Sequence, residues 1–113
     1  MHRALAVVVV LLALVAASCG VRTSHKSISA AAQGAATGWK GGPIRVKKGD
    51  KVVISVGNTT ARTHGFSIDA FKIKKTVDPG KKTEAKLTPT ATGRYIIYCQ
   101  LHPAHLKTEL IVS

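Results

Sequence analysis

The chain has 113 residues, with 17 Lys or Arg against 5 Asp or Glu, a formal net charge of +12 and two cysteines. That length holds one small domain. The five carboxylates do not cluster for acid–base work and no serine or cysteine nucleophile has a separate base, so an enzyme is not expected.

Arg3 is followed by an unbroken apolar run from Ala4 to Ala17 and then by Ser18 and Cys19, the layout of a bacterial export signal. The run is too short to span a bilayer comfortably. Val15-Ala16-Ala17-Ser18-Cys19-Gly20 also resembles a lipobox, with Ala16 where leucine is usual. Residues 1–18 are therefore expected to be a lipoprotein-type signal peptide, with Cys19 becoming a lipidated N-terminus. The protein is expected to be exported and lipid-anchored to the outer face of the cell membrane, a soluble periplasmic or secreted form being the alternative. One of the 17 basic residues, Arg3, leaves with the signal and all 5 acidic ones stay, so the net charge becomes +11. The lysines are spread along the chain without interleaved aromatics, and export separates them from nucleic acid, so nucleic acid is not expected as a partner. Anionic lipid head groups or an acidic partner protein suit the charge better.

Residues 19–42 are rich in Ser, Ala, Gly and Thr and read as a linker, with Ile28 to Gln33 a possible first edge strand and Trp39 a possible cap on the core. From Pro43 onward, short alternating segments are separated by turn signals at regular intervals, which is the mark of a β-sandwich or barrel. Strands are expected over Ile44 to Lys47, Val52 to Val56, Phe66 to Asp69, Phe71 to Thr76, Thr83 to Leu87, Tyr95 to Cys99 and Leu106 to Val112. Lys48-Gly49-Asp50, Gly57-Asn58, Asp78-Pro79-Gly80 and Ala91-Thr92-Gly93 supply turns. Residues 43–113 are thus expected to form one all-β domain, the whole mature chain having six to eight strands.

Cys99, His102 and His105 lie within seven residues, and His64 lies 35 residues before Cys99. Cys99 ends an expected strand, so its sulfur projects from the rim of the sheet. The loop after it can fold His102 and His105 back to the same point, and His64 would come from a neighbouring strand. Two imidazoles and a thiolate with a weaker axial group describe a blue-copper type of site. With Cys19 carrying lipid, Cys99 has no disulfide partner, and in an oxidising compartment a bound metal is its obvious occupant.

In these residues the chain resembles the cupredoxins, the family of plastocyanin, amicyanin and pseudoazurin. The resemblance runs from about Ile44 to Val112. It is carried by Lys48-Gly49-Asp50, Asn58 with Thr63-His64-Gly65-Phe66, Asp78-Pro79-Gly80, Gly93-Arg94-Tyr95 and Tyr98-Cys99-Gln100-Leu101-His102-Pro103. It implies a Greek-key sandwich holding one copper ion, with His64, Cys99 and His102 as ligands and Asn58 bracing the ligand loop. Where amicyanin-like members place methionine, six residues after the cysteine, this chain has His105. The only methionine is Met1, so a methionine-ligated site is ruled out, and His105, Glu109 or a backbone oxygen remains for the axial position. Thr63-His64-Gly65-Phe66 and Tyr98-Cys99-Gln100 are also similar to the copper domain of nitrous oxide reductase and oxidase subunit two. Those dinuclear sites need a second cysteine where this chain has Pro103.

Electron transfer with an acidic redox partner is the function expected first. A copper chaperone or storage protein serving a copper-acceptor protein comes second, and a structural zinc or copper site third. A monomer is expected from the resemblance.

Overall fold

The computed structural model describes residues 20–113; the expected export signal and Cys19 lie outside the described residues. Nine strands follow in chain order: β1 (Thr23–Gln33), β2 (Ala36–Lys40), β3 (Ile44–Val46), β4 (Lys51–Asn58), β5 (His64–Ile68), β6 (Ile73–Val77), β7 (Lys82–Leu87), β8 (Gly93–Ile97) and β9 (Thr108–Val112). A 3₁₀ turn at Asp69–Phe71 separates β5 from β6. Among the described residues no helix is long and apolar enough to cross a membrane.

One layer is a four-stranded sheet in the order β2-β1-β4-β7, and the other is built from β3-β9-β8 and the β5-β6 pair. Reciprocal main-chain bonds between Ser67 and Tyr98, of 2.8 and 3.1 Å, join β5 to the end of β8. The β1–β4 and β3–β9 pairs are parallel, and parallel neighbours require crossover connections rather than tight hairpins. This is the expected all-β sandwich, with nine strands instead of six to eight.

The alternation in β4 builds the core directly. Val52, Ile54 and Val56 are buried while Val53 and Ser55 between them are half-buried, because successive side chains leave a strand on opposite faces. Phe66, Ile68, Ile97 and Leu110 meet them from the opposite layer at 0% exposure. Each such side chain contributes about 1.5–3 kcal/mol by leaving water.

The additional strands come from residues 20–42, which the composition had marked as mostly linker. β1 is not an edge strand either. It pairs with β2 on one side and β4 on the other, Ala30 facing both Trp39 and Asn58. Its more buried positions are Ser24, Lys26, Ile28 and Ala30, of which only Ile28 is a large apolar residue. Main-chain hydrogen bonds along both edges hold it, and these leave no trace in residue type. Trp39 is buried and meets Phe66 edge to face with ring centroids 5.5 Å apart, so it caps the core.

The register fixes two poles. Thr23 pairs with Lys51 at one and Ala30 with Asn58 at the other, seven residues of extended strand or roughly 23 Å apart.

Candidate metal centre

His64 opens β5, Cys99 follows the end of β8 by two residues, and His102 sits on the loop between β8 and β9. All three lie at the Asn58 pole. Asn58 explains why His64 arrives in position. Its buried side chain donates to the carbonyls of Arg62, at 2.7 Å, and Val77, at 2.9 Å. Its Oδ1 accepts from the backbone and hydroxyl of Thr60, at 2.9 and 2.7 Å. One side chain thus pins the loop 59–63 that delivers His64 to the strand that β5 pairs with.

Cys99 Sγ lies 3.9 Å from His64 Nδ1 and 3.6 Å from His102 Nδ1, and the two nitrogens are 3.2 Å apart. A circle through three atoms at those separations has a radius of about 2.1 Å, against ~2.0–2.1 Å for a metal–imidazole bond and ~2.3 Å for a metal–thiolate bond. The spacing and the soft-plus-imidazole donor set both fit a copper ion. Among the described residues these three form the group of possible ligands within 4.8 Å of one another.

His105 stands outside that group. It is 5% exposed, with its ring 5.0 Å from that of His64 and 4.6 Å from that of Trp39. Its Nδ1 donates to the Leu106 carbonyl at 2.9 Å, which leaves Nε2 as a buried acceptor with no partner. Glu109, the other axial candidate, lies on β9 and pairs with Arg94 at 3.1 Å, outside the ligand group.

Two contributors were invisible in residue type. The Gly65 backbone N–H donates to Cys99 Sγ at 3.1 Å, stabilising negative charge on sulfur. Gln100 spans Ser67 Oγ at 2.7 Å and the Lys75 carbonyl at 2.9 Å, locking the turn after Cys99 onto β5 and β6. A side chain at Gly65 would collide with the Gln100 amide, and that glycine was the one available signal of close packing there.

Burial pushes the His64 pKa below the ordinary histidine value, helped by the neighbouring His105, His102 and Arg62. Burial also lowers that of His105, opposed by its hydrogen bond to Leu106 and assisted by His102. A histidine depressed in the fold takes up its proton more readily when unfolded, so stability is complete above about pH 6.5 and falls as pH drops toward the folded values. The thermal midpoint of the metal-free protein should therefore decline between pH 7.5 and 5, and the decline should shrink in His64→Gln. An unchanged slope in that variant would contradict the assignment.

The model of the cupredoxin-like domain family matches residues 5–112. The chain belongs to that family. Solved structures similar to it include copper proteins of low sequence identity. This cupredoxin is similar to the metal-binding domain of the Cu(I)-exporting P-type ATPase of Streptococcus pneumoniae D39, solved with Cu(I), at 16% identity and a TM-score of 0.68, covering 82% of this chain and 95% of that one. It is also similar to the copper nitrite reductase of Nitrosomonas europaea, at 18% identity and a TM-score of 0.70, covering 81% of this chain and 42% of that one. A multicopper oxidase matches at 18% identity and a TM-score of 0.62, with 82% and 39% covered. The cupredoxin thus spans less than half of either of those two chains, and at these identities the likeness carries the fold alone. No curated protein matches in sequence.

Proposed function

We propose that this cupredoxin is an exported one-electron carrier with one copper ion held by His64 Nδ1, Cys99 Sγ and His102 Nδ1. His105, through its buried and unpartnered Nε2, would supply a fourth donor. The observation that carries the reading is the preset triangle of donors: a site already spaced at bonding radius accommodates both oxidation states of copper with little movement, which is what fast electron exchange needs. When bound, copper supplies the one-electron couple. Around it, Gly65 N–H steadies the sulfur and Asn58 fixes His64, while His102 is only half-buried.

Next to His102, Pro103 and the partly exposed Leu101 and Leu106, at 45% and 43%, form an apolar rim. Arg62 and Lys107 are exposed nearby. An apolar contact ringed by positive charge suits an acidic redox partner, met by a monomer outside the cytoplasm. The fold shared with the Cu(I)-bound ATPase domain over nearly its whole length supports a second reading, copper delivery to an acceptor protein.

Copper titration of residues 20–113 tests the proposal. One equivalent, fast electron self-exchange and slow loss to a chelator are expected of a carrier; rapid surrender of copper with sluggish exchange would replace that reading with delivery. His105→Met should raise the reduction potential, because a thioether is a weaker donor than imidazole. An unchanged potential would remove His105 from the centre.

A further inference from the structure

The pole opposite the metal centre combines three features that the copper site does not use. Arg22, Lys47, Lys48 and Lys51 are all exposed and are tied together by main-chain contacts, Lys51 N–H donating to the Arg22 carbonyl at 2.7 Å. The acidic side chain among them, Asp50, is 5% exposed, its Oδ2 taken up by Lys47 N–H at 3.1 Å and Arg22 Nη2 at 3.3 Å. That carboxylate is turned inward while the Arg22 side chain stays 65% exposed. Val21, beside Arg22, is the most exposed large hydrophobic residue of the described chain, also at 65%. The chain leaves the sandwich here, with Gly20 to Arg22 preceding β1 and the apolar run 4–17 only a few residues upstream.

We infer that this pole is a membrane-docking surface for anionic lipid head groups. Arg22, Lys47, Lys48 and Lys51 form its charged ring and Val21 its apolar contact, and the docked domain holds the metal centre at its far end, facing away from the bilayer. Clustered cations beside a membrane-proximal segment each gain attraction from anionic lipid, and an apolar side chain among them adds partition into the head-group layer. A single acyl chain anchors only weakly and gains permanence from a second, basic signal. The lysine face beside β6 and β7, with Lys72, Lys74, Lys75 and Lys86, likewise has four cations and one acid but lacks an exposed apolar side chain and the chain exit, and its acid, Glu84, is exposed where Asp50 is buried. The inference does not rest on bound copper, and the charged ring with Val21 is tested below without the acyl chain.

Residues 20–113 contain all nine strands and the described core, so that piece, metal-free, is the one to test by flotation with phosphatidylglycerol–phosphatidylcholine vesicles. Binding is expected at low salt and should vanish on pure phosphatidylcholine. K47E/K48E/K51E should weaken partition at least about 100-fold, at roughly fivefold or more per lysine. K74E/K75E/K86E, with the same charge change, should weaken it far less, and circular dichroism checks that both variants fold. Equal losses in the two triple variants would reduce the effect to net charge and overturn the assignment, as would no binding. Trp39, the only tryptophan, lies at the metal pole and should stay unquenched by brominated lipid, whereas V21W should gain a quenchable signal; quenching of Trp39 would overturn the orientation.

Discussion

Cys99→Ser is expected to abolish the intense visible absorption of the copper-loaded protein and to lower copper affinity beyond the 10–100-fold that follows loss of an outer-shell partner. The band arises from sulfur-to-copper charge transfer, so a hydroxyl cannot replace it even if copper is retained. Cys99 is also the one soft donor in the group, the other two being imidazoles, and removing it leaves a site with little preference for Cu(I). The fold should survive. The serine oxygen occupies nearly the same place and can accept the Gly65 N–H that now serves sulfur, so the metal-free stability should change by about 1 kcal/mol or less. Absorption titration and a thermal melt of the same sample separate the two effects. A retained band in Cys99→Ser would remove the sulfur from the centre, while a variant that fails to fold would give Cys99 a structural role the geometry does not suggest.

What was legible in the sequence divides along a physical line. The donor group of His64, Cys99 and His102, which could hold a metal ion, was legible because its signals are local: a cysteine at the end of an alternating segment, a histidine three residues later on a tight loop, and a histidine opening another strand. Strands β3 through β9 were legible for a similar reason, since β-branched residues alternate between turns that glycine and proline enforce. β1 was not, because Ser24, Lys26 and Ala30 occupy inward positions where apolar side chains would have announced a strand, and its stability comes from pairing on both edges. The Gly65 N–H bond to sulfur is likewise a main-chain interaction. Glu109, one of the remaining candidates for the fourth position, is carried by β9 to Arg94 and lies outside the donor group.

Asn58→Ala should be the most damaging single change outside the ligands. The substitution leaves the Val77 carbonyl in the buried interior, and the Arg62 carbonyl beside it, without their donor. It also leaves the Thr60 N–H and hydroxyl without their acceptor. The Thr60 hydroxyl, freed from Asn58, can turn its one proton to the Arg62 carbonyl 3.0 Å away, and water can reach that exposed side, so the full penalty falls mainly on the Val77 carbonyl and on the lost order of the loop. At 1–3 kcal/mol for a buried group left unpaired, plus smaller losses at the loop, the expected cost is about 3 kcal/mol, or a thermal midpoint lower by roughly 15 °C for a domain of this size. The consequence for the metal follows from where that loop ends. Residues 59–63 run directly into His64, so a loop freed from Asn58 lets the imidazole swing off the donor triangle, and copper affinity should fall about 10–100-fold. Asn58→Asp separates the two contributions: its carboxylate can still accept from Thr60 but cannot donate to the two carbonyls, so it should retain loop order better than alanine while recovering little stability. Melting curves with and without one equivalent of copper measure both quantities; a variant that melts low yet binds copper normally would show that β5 alone positions His64, and one that melts normally would overturn the stability assignment.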